Sequence, residues 1–393
     1  VIPVEEALRR VLALARPLPA EPVPLAQAAG RVLAADAVAA RAQPPFAASA
    51  MDGYAIQGAP QPGHVYQVTG LSRAGESSPA PVGPGQACRI FTGAPMPEGA
   101  THVVIQEDVT AEGDRITITG TPDGASNLRP AGVDFPAGFR LPAPRRLSAS
   151  DVALLAAMNV AAPLCARRPD IAVIATGDEL VMPGEAPGRD QIVASNLFAI
   201  KALAEAEGAR VRLLPIARDS EAALRDVLAL AAGADVVVTI GGASVGDHDL
   251  VARVAQDMGL ERAFHKIAMR PGKPLMSGRL GDAVLLGLPG NPVSAIVCGH
   301  LFLLPLLRAL QGLPDPEPRP RKARLAAPLP ANGPRAHYMR ATLTPGDGWP
   351  LITPAASQDS ALLTVLAGSG ALLIRPVGDG ALAAGDLVDY LPI

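Results

Sequence analysis

Three observations in the sequence predict a multidomain α/β plus β fold. Residues 170–258 alternate strand-like and helix-like runs; the stretches 43–134 and 321–391 break instead into short β-like runs cut by Gly and Pro; and 393 residues exceed what one hydrophobic core ordinarily organises. A composition of 49% hydrophobic and 18% charged residues can fill roughly three or four packing units and lies far from that of a disordered chain.

At the start, Val4, Ala7, Leu8, Val11 and Leu12 recur at the spacing of one helical face, predicting a packing helix over 4–15. The runs 65–68, 87–91, 102–106 and 115–119 then predict a small β-rich domain. A second helix is expected over 148–158, with Ser148 placed to cap it and Asp151 three residues on. From Asp170, strands at 171–175, 211–216 and 235–240 alternate with helices at 195–207, 220–232 and 249–258, the rhythm of an open, mostly parallel sheet covered on both faces. The most apolar run, 293–310, contains His300, Pro305 and Arg308 and opens on an Asn-Pro pair, which favours a buried amphipathic helix over a membrane span. A stiff Pro-rich linker at 314–320 leads to short strands such as 372–376 and 387–391, a small terminal β-barrel or sandwich. There is no internal repeat.

Charge and cysteine content exclude several function classes. With 34 basic and 37 acidic residues the net charge is −3, so the chain lacks the basic field by which proteins hold nucleic acid. Cys88, Cys165 and Cys298 are isolated, odd in number and without CxxC spacing, which argues against a disulfide framework or structural zinc and fits a reducing cytoplasm. No basic, apolar, small-residue leader opens the sequence at Val1. The six histidines form no HExxH motif, and no Ser-His-Asp or Cys-His arrangement is evident.

An open α/β sheet binds ligands beyond the carboxyl ends of its strands, so chemistry is sought in the loops there. After the 171–175 strand comes Thr176, Gly177, Asp178, Glu179: a glycine permitting close backbone approach, beside two carboxylates suited to a hard cation such as Mg²⁺. After the 235–240 strand, Gly241, Gly242, Ser244 and Gly246 offer converging backbone donors to an anion. Asp247 and Asp249 in the same loop would repel a bare phosphate, so the combination points to a metal-bridged one. Lys266, Arg270 and Lys273 crowd into 265–274 although the chain has only four lysines, a grouping suited to an oxyanion. Pro289, Gly290, Asn291 and Pro292 turn an apolar strand into the long helix and place a further helix start at the same edge. In the β-rich stretch, Asp52, Thr92 and Asp134 lie in turns of their own. Taken singly, each stretch also reads as an ordinary turn.

Together the segments PPFAASAMDGYA at 44–55, FTGAPMPEGATHVVIQED at 91–108, ATGDEL at 175–180, GGASVGDHD at 241–249, RPGKP at 270–274 and LPGNPVSA at 288–295 resemble the molybdenumtransferase family of molybdenum cofactor biosynthesis, which includes the carboxy-terminal domain of gephyrin. The resemblance spans nearly the whole chain. It implies a discontinuous linker domain (1–37 and 137–167), an inserted β-rich domain (38–136), an α/β domain of molybdopterin-binding type (168–312) and a C-terminal β-barrel (313–393). It also implies a homodimer in which Asp52, Thr92 and Asp134 of one subunit face the α/β domain of the other.

By matching positions, the resemblance places Glu179, Asp219, Asp247, Asp249, Lys266, Arg270, Arg340 and Ser360 around the site. Asp52, Asp134, Glu179, Asp219, Asp249, Lys266 and Arg270 are then the expected catalytic group. Asp178, Glu179, Asp247 and Asp249 are the expected Mg²⁺ ligands, and Thr92, Thr176, the glycine turns, Lys273, residues 289–292, Arg340 and Ser360 the expected substrate contacts. Where the family often has lysine, Arg270 keeps the charge but exchanges a point donor for a planar fork. The implied reaction inserts molybdate into adenylylated molybdopterin with release of AMP, and molybdopterin adenylyltransferase, the enzyme of the preceding step, is an implied partner. Two other readings are that adenylyltransferase activity itself and a non-catalytic pterin-binding scaffold.

Overall fold

A computed structural model describes residues 1–76, 81–120, 125–242 and 250–393. Its centre is a six-stranded sheet in the order Arg210–Leu213, Asp170–Ala175, Val236–Ile240, Ala283–Leu288, Met276–Leu280, Glu261–His265. The first four strands run parallel, Met276–Leu280 runs against them, and the edge strand Glu261–His265 pairs antiparallel with it, so the open, mostly parallel sheet expected from the sequence is present with one reversed strand. Alternation of side chains divides the core. Ile171, Val173, Val236 and Val238 face one side, with helix Asn196–Ala206 and the long helix Pro292–Leu310; Ala172, Ile174 and Val237 face the other, under helices Glu221–Leu230 and Leu250–Asp257.

The apolar run at 293–310 is indeed helical, with a π turn at Gly299–Leu303 ahead of Pro305, whose missing N–H cannot complete the ordinary ladder. It is 78% buried inside the fold and has no exposed residue beyond Asn291, so it is a core helix covered nearly all round, not the one-sided helix expected. Among the described residues it is the only helix with the length and hydropathy to cross a membrane.

The first helix, Val4–Ala13, departs from the expected grouping of 1–37 with the linker. Its buried Val4, Ala7 and Val11 join the core of the α/β unit, and Ile2 bridges to Ile267. Periodicity shows that a helix has an apolar face, not which core receives it. The linker sheet draws on both expected segments, pairing Ala20–Pro22 and Val32–Leu33 with Leu164–Ala166 and Arg145–Arg146. Ser148 and Asp151 form the predicted capping box of helix Ala149–Ala157.

The β-rich stretch forms a six-stranded sheet with apolar clusters on both faces. Beyond the linker, five strands close on themselves: Ala336–Thr344, Leu351–Pro354, Arg321–Leu325, Leu387–Pro392 and Ala371–Arg375, the last pairing back with the first. The terminal module is thus a barrel. Met269–Arg270, from the α/β segment, adds to its outside by pairing with Ala336 and His337.

Candidate active site at the carboxyl edge of the sheet

The strands 170–175, 236–240 and 283–288 are parallel neighbours, and the chain order reverses direction between the first two. A crevice opens at such a switch point. Here it is a cavity of about 970 Å³ whose wall includes Thr176, Gly177, Glu179, Asp219, Gly241, Gly242, Pro289, Gly290, Asn291 and Pro292.

Each strand ends in a glycine that lets backbones and side chains close on one another. A Cβ on Gly177 (φ +147°) would lie 2.5 Å from a Glu179 carboxylate oxygen, so the glycine is what allows that carboxylate to fold back over the strand end. Gly241 and Gly242 have φ of +94° and +65°, and a Cβ on Gly242 would stand 2.4 Å from the Val251 side chain. Gly290 packs so that its Cβ would be 3.4 Å from the Gly241 Cα. Between them the Thr176 hydroxyl is buried, with no hydrogen-bond partner among the described residues, a free polar group in the cavity wall.

The cavity thus gathers ten of the residues expected from the sequence, from four separate loops. Asp178 stands beside them with a different task. Its Oδ1 accepts a hydrogen bond from the Asp219 amide at 3.1 Å, tying the two loops together. Among the described residues no three His, Cys, Asp or Glu side chains gather as a metal cage. Ser244, Gly246, Asp247 and Asp249 lie outside the described residues.

Asn291 precedes the long helix Pro292–Leu310. Its side chain caps no helix amide; instead Nδ2 donates to the Ser360 hydroxyl at 3.0 Å, and the Val293 amide donates to the Ser360 carbonyl at 3.1 Å. Ser360 is therefore brought to the rim from the barrel. Arg340, expected as a substrate contact, is 1% exposed and does not line the cavity. Its guanidinium donates to the carbonyls of Asp359 at 2.8 Å and Leu362 at 3.4 Å, so it anchors the loop that carries Ser360. The sequence shows a cation there but not the direction in which it is folded.

The basic stretch forms a compact return: the Lys266 amide donates to Leu275 and the Ile267 amide to Lys273. That brings Lys266 and Lys273 near each other, with Lys266 at φ +72° and Arg270 exposed on the strand against the barrel. None of the three lines the cavity, although Pro274 does.

Asp52, Thr92 and Asp134 lie outside this cavity, in the β-rich domain. One Asp52 carboxylate oxygen accepts from the Thr92 amide at 2.7 Å and its hydroxyl at 2.8 Å. Those two donors, with a smaller contribution from Arg89, hold the carboxyl below its ordinary range. Arg89 lies between the rings of Tyr54 and Phe91, 5.0 and 4.9 Å from their centroids, and donates to the Gly53 carbonyl. Gly53 is required beside it, since a Cβ there would lie 1.9 Å from the Val104 carbonyl oxygen. Asp134 is exposed, its amide bound to the Gln43 carbonyl.

Arg253 and Ala361 carried no sequence signal and reach the cavity from a helix and the barrel loop, while Pro274 reaches it from the basic return. Asn196, the first residue of helix Asn196–Ala206, also lines the cavity and donates from Nδ2 to the Gly290 carbonyl at 2.7 Å. The thiols are no candidates: burial pushes Cys88 up to about 11, and Cys165 and Cys298 upward as well.

Fold and site together define a class: a multidomain α/β protein with a cavity between glycine turns at a sheet's switch point and a β-barrel loop at its rim. Models of the MoeA N-terminal region (domains I and II), of a probable molybdopterin binding domain and of the MoeA C-terminal region (domain IV) match residues 2–159, 172–309 and 322–393. The molybdopterin molybdenumtransferase of Nostoc is 36% identical over 389 residues, covering 95% of this chain and 89% of that protein. That of Haemophilus influenzae is 38% identical over 300 residues, covering 75% and 74%. The molybdopterin biosynthesis MoeA protein of Pyrococcus horikoshii has a crystal structure that superposes with a TM-score of 0.84 at 26% identity, over 100% of both chains. The chain belongs to the MoeA family of molybdopterin molybdenumtransferases.

Proposed function

We propose that this protein inserts molybdate into adenylylated molybdopterin and releases AMP, completing the molybdenum cofactor. The observation that carries the reading is the cavity itself: three glycine turns, the free Thr176 hydroxyl and the Glu179 and Asp219 carboxylates converge at the switch point of a domain matched by the molybdopterin-binding model. Backbone amides at such turns suit phosphate oxygens.

Mg²⁺ fits this donor set in one mode. Two wall carboxylates cannot cage it alone, but Mg²⁺ ordinarily keeps several waters and takes one or two carboxylates plus substrate phosphates. When bound it would neutralise charge building on the phosphoanhydride. In this reading the chain's own residues position the substrate: the glycine turns would receive its phosphates, Asn291 and Ser360 would hold it at the rim, and Lys266, Arg270 and Lys273, outside the cavity wall, would attract the incoming molybdate. Placement and electrostatics carry the rate, with the Glu179 and Asp219 carboxylates and the Thr176 and Ser195 hydroxyls in the described wall.

The proposal includes a homodimer. Asp52 and Thr92 lie outside the cavity of their own chain, and Phe46, Met51 and Val133, at 43%, 44% and 60% exposure, leave apolar surface in the loops of that domain. A second copy covering this face would bring Asp52, Thr92 and Asp134 to the cavity rim. Three free, buried cysteines suit a cytoplasmic setting.

The test is AMP release by purified protein given adenylylated molybdopterin, Mg²⁺ and molybdate, with each component omitted in turn. Release that needs both protein and molybdate, with molybdenum recovered on the pterin, is expected. Tight pterin binding without release would make the protein a carrier; consumption of ATP with molybdopterin would make it the adenylyltransferase.

A further inference from the structure

The charges in the cavity wall are unevenly placed. Glu179 and Asp219 contribute two carboxyl groups to the described wall. Among the described wall residues Arg253 is the only cation. It stands in the first turn of helix Leu250–Asp257, and its guanidinium meets the Glu221 carboxylate at 2.6 Å, with the two side chains 57% and 53% exposed. Glu221 opens the neighbouring helix, two residues from Asp219.

We infer that Arg253 is a phosphate-binding residue of this cavity, held in position by Glu221 until a nucleotide phosphate takes that carboxylate's place. The inference rests on the proposed reading of the cavity as the seat of an adenylylated substrate. An exposed ion pair contributes little to stability, so exchanging its anion costs the fold little. A guanidinium fork binds phosphate through two parallel hydrogen bonds, a stronger match than a single solvent-exposed carboxylate contact. Glu221 thus tunes the grip: it orients Arg253 and competes with the phosphate for it.

A purely structural bridge between two helices makes a different prediction. Removing either partner would then disturb the wall in the same sense, and adenosine would feel it as much as AMP. For a phosphate-binding arginine the two removals act in opposite directions and only the phosphate-bearing ligand responds.

The experiment is calorimetric titration of the full chain, in Mg²⁺ buffer, with AMP and separately with adenosine. Arg253→Gln is expected to weaken AMP about tenfold, or about 1.4 kcal/mol, and leave adenosine unchanged. Glu221→Gln is expected to tighten AMP by about threefold, again without effect on adenosine. AMP affinity in Arg253→Gln equal to that of the natural chain, or both variants weakening AMP and adenosine alike, would overturn the inference. Failure of the natural chain to bind either ligand would instead overturn the proposed function on which it rests.

Discussion

Asn291 donates from its amide nitrogen to the Ser360 hydroxyl at 3.0 Å, across 69 residues of sequence and between the α/β domain and the barrel. With the Val293 amide bound to the Ser360 carbonyl, this contact makes a barrel loop part of the cavity rim. The geometry of that loop is set from behind by Arg340, whose side chain spans from its strand to the carbonyls of Asp359 and Leu362.

Arg340→Met is therefore expected to cost more than a surface arginine would. It removes a buried charged donor from the Asp359 and Leu362 carbonyls, each such bond being worth about 1.5–3 kcal/mol. Thermal unfolding should show a loss of at least about 2 kcal/mol. Ser360→Ala removes one neutral bond and should cost about 1 kcal/mol or less, while lowering kcat/KM by a larger factor than its stability change accounts for. Equal, small effects of both changes on stability would remove the anchoring role.

Asp52 and Thr92 predict a pH effect on activity. Two Thr92 donors hold the Asp52 carboxyl below its usual range. Thr92→Val removes the hydroxyl donor, so the carboxyl should rise and the acid limb of the kcat/KM profile should move to higher pH. Asp52→Ala, with folding intact by circular dichroism, should lower turnover about a hundredfold or more, as should Glu179→Ala. Undiminished turnover in both would remove them from the site.

The glycine turns separate two kinds of damage. Gly242→Ala demands a left-handed backbone from alanine and drives its methyl into Val251, which should destabilise the fold by at least about 1 kcal/mol in denaturant titrations. Gly177→Ala meets the end of a flexible side chain instead, the Glu179 carboxylate. That variant should be expressed and folded but lose activity as the carboxylate is pushed aside. Retained activity in Gly177→Ala would show that the position of Glu179 over the strand end is immaterial.

His300 and His337 make stability fall in mild acid. Burial, assisted by Arg308 at the first and by Arg270 and other arginines at the second, pushes both down to about 4. In the unfolded chain they take up protons near their ordinary value, 6.5. Between those values the unfolded state holds more protons, so stability should decline as pH drops from about 6.5 to about 4. At about 1.4 kcal/mol per unit of pKa, the pair should cost about 2 kcal/mol or more by the bottom of that window. Urea denaturation across it should reveal the slope, and a His300→Leu, His337→Leu double variant should flatten it.

What was legible in the sequence was whatever depends on near neighbours. The alternation of strands and helices from Asp170 onward, the capping box of Ser148 and Asp151, and the glycine turns at Gly177 and Gly241 all follow from side-chain period or backbone freedom within a few residues. The motif order also placed Thr176, Glu179 and Pro289 in loops that the sheet then joined, because parallel strands put their carboxyl ends on one edge. Tertiary structure decided the rest. It sent the helix Val4–Ala13 into the α/β core, turned Arg340 inward to hold a loop, paired Asn291 with Ser360, and brought Arg253 into the cavity wall. Each of these depends on where distant surfaces meet when apolar area is buried, and neither the charge of a side chain nor its helical period carries that information.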